Sequence, residues 1–285
     1  MTEADGAYQE LQTRYQALSA EHDELVRQMG DQIKPFPGAG VDGFLSHFII
    51  SLEVTQGDLA GTSVSFTMPP AAQTVSRSAP FVYRGPEEDH RVEVPLPADC
   101  TLSPTIAEGD FIVRPDSFFE PGNQVVWMQI LNLDARMEHE TIGPIRIILG
   151  ETLKRDYPDV FQPSLGVARA LGRKGGFPAA LFFNPYAMIE TQFGVFRAIH
   201  GTLAYGRVTS FPPIGTPVSI QDCVPLEDIE EVRRTRSLRG VDESIEPFGR
   251  IVALSHPIDV PMQLPGDEAF RFVERRIART GSGAA

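Results

Sequence analysis

The richest polar run in the chain is Tyr83-Arg84-Gly85-Pro86-Glu87-Glu88-Asp89-His90-Arg91-Val92-Glu93. Carboxylates beside an imidazole suit general acid–base catalysis, because a neighbouring carboxylate orients the ring and raises its basicity. On a strand over 90–96, His90 shares a face with Val92, Val94 and Leu96, at the rim of an apolar surface, while Arg91 and Glu93 point the other way. His90 is therefore a candidate acid–base residue with Glu93 as carboxylate partner. Arg84 and Tyr83 are candidate substrate-binding groups, the guanidinium gripping a carboxylate bidentately. The competing account is an ordinary solvated turn, for which Gly-Pro-Glu-Glu-Asp is suitable chemistry.

A second cluster lies in 172–215, where short β-type runs alternate with turn residues. Strands are predicted at Ala179–Phe183, Ala187–Thr191, Val195–Ile199 and Thr202–Val208, separated by Asn184-Pro185, Gln192-Phe193-Gly194 and His200-Gly201. A three-residue loop with Gly194 in the left-handed position pairs Thr191 with Val195, Glu190 with Phe196 and Met188 with Ala198. This register places Met188, Glu190, Phe196, Ala198 and His200 on one face, an apolar wall with one carboxylate and one imidazole, as a small-molecule pocket requires. Glu190 and His200 stand about 13 Å apart along the strand, too far for a direct relay. Both are candidate catalytic residues flanking a ligand. Tyr186, beside Asn184-Pro185, and Arg197 are candidate substrate-binding residues, although this register turns Arg197 away from Glu190. Glu190 at a sheet edge and His200 capping a turn is the structural alternative.

Several cofactor and metal signatures are excluded. There is no G-x-S-x-G, and Gly172-Arg173-Lys174-Gly175 lacks the Lys-Ser/Thr ending of a phosphate-binding loop; no nucleotide cofactor is expected. Glu138-His139-Glu140 begins like a zincin, but Gly143 stands where the second histidine belongs. Cys100 and Cys223 form no ligand pair and read as free, buried thiols, so no metal is expected. His47, on a strand face with Leu45 and Ile49, reads as structural.

A net charge of −13 argues against a nucleic-acid partner. No run of about 18 apolar residues or charged-then-apolar leader occurs, so no membrane partner and a cytoplasmic location are expected.

The supporting elements begin with residues 1–34, where Tyr8, Leu11, Tyr15, Leu18, Leu25 and Met29 form an a/d seam. This predicts an amphipathic helix that packs on its own domain or forms a coiled coil in a homo-oligomer. After a Pro/Gly linker at 35–43, a hairpin is predicted from alternation at Phe44–Val54 and Thr62–Met68, turning at Gln56-Gly57-Asp58. Pro69–Ala79 reads as a surface loop. Phe81–Arg84 and His90–Leu96 read as a second hairpin, and Phe111–Arg114 as a short strand. Gln124–Asn132 and Ile145–Leu149 are apolar enough for strands covered on both faces, with Trp127 in the first. Helices are predicted at Pro163–Leu171 and, from acidic starts and arginine-rich ends, at Pro225–Arg236 and Asp267–Thr280. Residues 281–285 read as a disordered tail.

The fold class is thus α+β, β-rich: a mostly antiparallel sheet or barrel-like single domain over 44–280, with an N-terminal helix and two short C-terminal helices. Two functions follow. The first is a small-molecule enzyme without nucleotide cofactor, performing acid–base chemistry on a polar, carboxylate-bearing substrate. The alternative is a non-enzymatic scaffold that self-associates through the N-terminal helix.

Overall fold

A computed structural model describes residues 34–111, 119–172, 174–198, 203–220, 223–239 and 247–262. The first strands are β1 (Gly40–Ser46), β2 (Ile49–Val54), β3 (Ser63–Thr67), β4 (Ala71–Arg77), β5 (Phe81–Val82), β6 (Arg91–Glu93) and β7 (Thr105–Ala107). There follow β8 (Gln124–His139), β9 (Gly143–Gly150), helix α1 (Glu151–Asp156), β10 (Leu165–Ala170), β11 (Ala179–Asn184), β12 (Met188–Thr191), β13 (Gly194–Ala198) and β14 (Ala204–Val208). Last come β15 (Val218–Ile220), β16 (Val224–Asp228), helix α2 (Ile229–Arg239), β17 (Gly249–His256) and β18 (Ile258–Met262). The β-rich, antiparallel expectation matches this architecture, which has two short helices among the described residues. The predicted helices at 1–34 and 267–280 and the strand at 111–114 lie outside those residues wholly or in large part, as does the tail. No helix among the described residues is long and apolar enough to cross a membrane.

Sixteen strands form one sheet, and β6 and β7 form a separate pair. The large sheet closes: from β8 it runs β9–β12–β13–β16–β17 on one side and β10–β11–β14–β15–β17 on the other. Two branches leave this ring: β4, β1 and β18 continue from β8, and β2 and β3 continue from β17. The result is a barrel, whose closure gives most edge groups a hydrogen-bonding partner.

β8 organises this closure. Its first half pairs with β10 and its second half with β9. A register shift against β4 sets Thr74 opposite Asn132 and Val75 opposite Ile130, leaving Leu131 as the extra residue of a bulge. The bulge switches side-chain parity: Val126, Met128 and Ile130 face the main core, followed by Leu133 and Ala135. Val125, Trp127 and Leu131 belong to a second core beneath β6 and β7, with Tyr83, Val94, Leu96, Ile106 and Phe111. Apolar character on both faces is explained by these two cores, and Trp127 is 0% exposed.

The structure confirms the β2–β3 hairpin, with Ile50 opposite Phe66 and Leu52 opposite Val64. It corrects four local predictions. Pro69–Ala79, expected as a surface loop, contains β4, whose Gln73, Val75 and Ser76 are buried. Pro163–Leu171, expected as a helix, contains β10, which is clamped between β8 and β11; Gly166 there allows the Phe183 ring to lie where a Cβ would meet it at 2.3 Å. Phe81–Arg84 and His90–Leu96 do not pair, since β5 joins β8 and β6 joins β7. Pro225–Arg236 is strand until Asp228, whose Oδ1 accepts the Glu230 and Glu231 amides at 2.8 and 3.3 Å and caps α2. The predicted linker at 35–43 seats Phe36 edge-on against Phe177 at 4.9 Å and starts β1 at Gly40.

Candidate functional site

Inside the barrel is a cavity with an empty volume, counted to its mouth, of about 1090 Å³. Its wall is built by inward residues of nearly every barrel strand, among them Phe44, Ile50, Val75, Met128, Leu133, Leu149, Leu181, Ala204 and Leu254. Polar groups are few: Asp42, Gln73 and His256. The Arg77 Nη1 binds the Asp42 carboxylate. Ser46 Oγ donates to Gln73 Oε1 at 3.1 Å, which commits the carbonyl end of that amide. The His256 ring lies parallel to Phe48, with centroids 4.2 Å apart and planes 6° from parallel.

His256 is the unusual member. Part of its surface borders the cavity, but its Nε2 is enclosed and meets no hydrogen-bond partner in the protein. Burial pushes its pKa down to about 3, reinforced by nearby His47 and partly opposed by Asp259, so the ring is neutral at ordinary pH. His47 pairs with Asp259 at 2.8 Å. No local pattern marks this site: at β17 a register shift leaves Val252 extra, so inward positions pass from Ile251 to Leu254 and His256.

The residues singled out in the sequence fall in several places. His90 is 8% exposed and stacks near Tyr83, with centroids 4.4 Å apart. Its Nε2 donates to the Gly85 carbonyl at 2.8 Å, so the ring ties off the acidic turn. The Tyr83 hydroxyl donates to Glu108 at 3.1 Å in the second core. Arg84 and Glu93 are exposed, and Arg84 reaches Glu88 at 3.8 Å. His139 accepts the Thr141 and Ile142 amides at 3.2 and 3.4 Å and closes the β8–β9 turn. His200 lies outside the described residues.

The β12–β13 hairpin has a shorter loop than predicted, and this changes the meaning of its side chains. Thr191 pairs with Gly194, Glu190 with Val195, Ile189 with Phe196 and Met188 with Arg197. The slip of one residue sends Ile189 and Ala198 into the cavity and puts Glu190 and Arg197 on the same, outer face. There Glu190 Oε1 accepts Arg146 Nη1 at 3.1 Å and the Tyr157 hydroxyl at 3.0 Å. Burial and the Glu190 carboxylate push the Tyr157 pKa up to about 12. Arg197 pairs with Glu227 on β16, its Nη2 2.5 Å from Oε1. Arg197 and Tyr186 meet in a smaller cleft of about 500 Å³ with Gln162, Met188, Leu153 and Val160. The structure thus brings Tyr186 and Arg197 together, and separates both from His90, Glu93, Tyr83 and Arg84.

The two thiols also differ from expectation: Cys223 is exposed and Cys100 partly so. Cys100 Sγ donates to Glu151 at 3.2 Å, and burial, aided by that carboxylate, pushes its pKa up to about 12, which keeps it a poor nucleophile. Among the described residues, no group of three or more His, Cys, Asp or Glu side chains is placed to hold a metal ion.

No protein-family model matches the chain, and no curated protein matches it. Among solved structures it is similar to DynF from the dynemicin biosynthesis pathway of Micromonospora chersina, at 16% identity and a TM-score of 0.50, over 81% of this chain and 86% of that one. At this identity the likeness concerns the fold alone.

Proposed function

We propose that the chain takes up an apolar small molecule inside the barrel. The observation that supports this reading is the cavity, whose wall is almost wholly aliphatic and aromatic and is drawn from strands all round the barrel. A closed sheet is a suitable frame, because hydrogen-bonded strands supply most of the wall before a ligand arrives. The similar fold of a protein from a biosynthesis pathway is in keeping with a small-molecule ligand. The proposal departs from the polar, carboxylate-bearing substrate expected from the sequence: the charged residue in the described cavity wall is Asp42, whose charge Arg77 already neutralises, so the described wall offers no unpaired cation to a carboxylate.

Ala204 offers the test, since its methyl group lies in the wall and a larger side chain there would fill the space a ligand needs. The wild-type chain is expected to bind the apolar fluorophore Nile red saturably with a blue-shifted emission. Ala204→Phe is expected to weaken that binding at least about tenfold, equivalent to about 1.4 kcal/mol, with far-ultraviolet circular dichroism unchanged. Undiminished binding by a folded Ala204→Phe protein would place the fluorophore elsewhere and defeat the proposal.

A further inference from the structure

We infer that the barrel selects an apolar molecule carrying one neutral hydrogen-bond acceptor, a ketone or ester carbonyl, held by the side-chain amide of Gln73. This rests on the reading of the cavity as the ligand site. Gln73 stands in β4 with Phe44 of β1 opposite it on one side and Leu133 of β8 on the other, and all three belong to the cavity wall. It is 3% exposed, so its amide sits among hydrocarbon groups, where a hydrogen bond left unmade is costly.

Ser46 decides which end of that amide looks inward. Its hydroxyl is wholly buried and donates to Gln73 Oε1 at 3.1 Å, the acceptor it finds among the described residues. With the amide reversed, Nε2 would donate to the hydroxyl oxygen and the hydroxyl proton would be left without that acceptor. The carbonyl end is therefore committed to Ser46, and the Nε2 end is turned to the cavity. Unlike His256 Nε2, the Gln73 nitrogen is not enclosed, and it meets no acceptor among the described residues. It is a donor that a ligand can both reach and satisfy.

The other polar groups of the wall do not compete for that role, since Arg77 holds Asp42 and the His256 Nε2 is shut in. A carboxylate could accept the Gln73 N–H, but its charge would enter an apolar wall with no unpaired cation among the described residues. One neutral donor does not offset that loss of hydration. An ammonium group has donors alone and gains nothing from the amide. A bare hydrocarbon fits the wall but leaves the amide unsatisfied.

Displacement of Nile red from the full chain by decane, methyl heptanoate and octanoate tests this. In the wild type, methyl heptanoate is expected to bind more tightly than octanoate at neutral pH. Gln73→Leu removes the donor at similar volume, and the affinity ratio of methyl heptanoate to decane is expected to fall about fivefold, the worth of one neutral hydrogen bond. The carbonyl stretching band of methyl heptanoate bound to the wild type is expected at lower frequency than in hexane. An unchanged ratio, a band at the hexane position, or octanoate binding more tightly than methyl heptanoate overturns the inference while the cavity reading stands. If none of the three displaces bound Nile red, the inference falls together with that reading. Should Gln73→Leu fail to fold, the position of the wild-type band decides.

Discussion

Gly150→Ala is expected to destabilise the fold by more than about 4 kcal/mol, enough to unfold many domains outright. Gly150 ends β9 with φ 66° and ψ −135°, a conformation open to glycine and strained for any other residue. A Cβ there would stand 2.2 Å from the Leu131 carbonyl oxygen and 2.9 Å from the Asn132 nitrogen, both backbone atoms. Those atoms cannot swing aside as a side-chain tip can, because Leu131 is the bulge at which β8 leaves β10 and takes up β9. Gly122→Ala supplies the control. Its φ is 91°, but nothing lies within 4 Å of its Cβ position, so it should show backbone strain alone, about 1 to 2 kcal/mol. Urea denaturation of the two variants measures the difference. Equal losses would show that the close approach at Leu131 carries no cost of its own.

The second large effect is expected at Arg146. Its guanidinium makes a two-pronged contact with Asp134 at 2.9 and 2.8 Å, and reaches Glu190 and Asp156 at 3.1 Å each. Arg146→Met keeps most of the side-chain volume but leaves three carboxylates facing one another. All four side chains retain some exposure, 18% for Arg146 and 24 to 26% for its partners, so water screens part of the repulsion. A loss of about 2 to 3 kcal/mol at neutral pH is expected, below the value for a fully buried network.

The dependence on pH gives the network a signature. Hydrogen bonds from Arg146, then from Arg136, hold the Asp134 carboxyl well below its usual value of 3.8. A depressed carboxyl stabilises the folded state fully above its unfolded pKa, and the contribution disappears as pH falls below 3.8 toward the folded value. The gap in stability between wild type and Arg146→Met should therefore be widest near neutrality and narrow in acid. A gap that widens in acid would contradict the assignment.

How much of this was legible beforehand depended on whether neighbours in sequence were also the neighbours that mattered. The β11–β14 succession announced itself because alternation and turn residues are local. Even there the hairpin loop was misjudged by one residue, which is enough to exchange the inner and outer faces of Glu190, Arg197, Ile189 and Ala198. β4 carries no local strand signal because Pro69, Pro70 and Pro80 flank it and its own Ala and Ser residues are turn-like; burial of Gln73 and Val75 toward the barrel interior, with Ser76 Oγ donating to the Pro95 carbonyl at 2.5 Å on the other side, makes it a strand. At β10, Leu165, Ala168 and Leu171 fitted a helical face, and only the flanking β8 and β11 decide otherwise. The cavity was invisible for a related reason. Its inward residues follow parity that changes at Leu131 and Val252, and neither bulge has a signature in the sequence.

The pairing of β1 with β18 has a consequence for how the molecule is made. Gly43 meets Met262, and Val54 meets Gly249, so strands from the beginning of the described chain depend on partners about 200 residues later. A polypeptide emerging from the ribosome at about 5 to 20 residues per second would keep the apolar faces of β1 and β2 without these partners for roughly ten seconds or more. Ordering must wait for loop closure over most of the sequence, which makes assembly of the barrel slow compared with that of a helical bundle. The same architecture that encloses an apolar interior thus leaves the first strands without these partners until the late ones have been made.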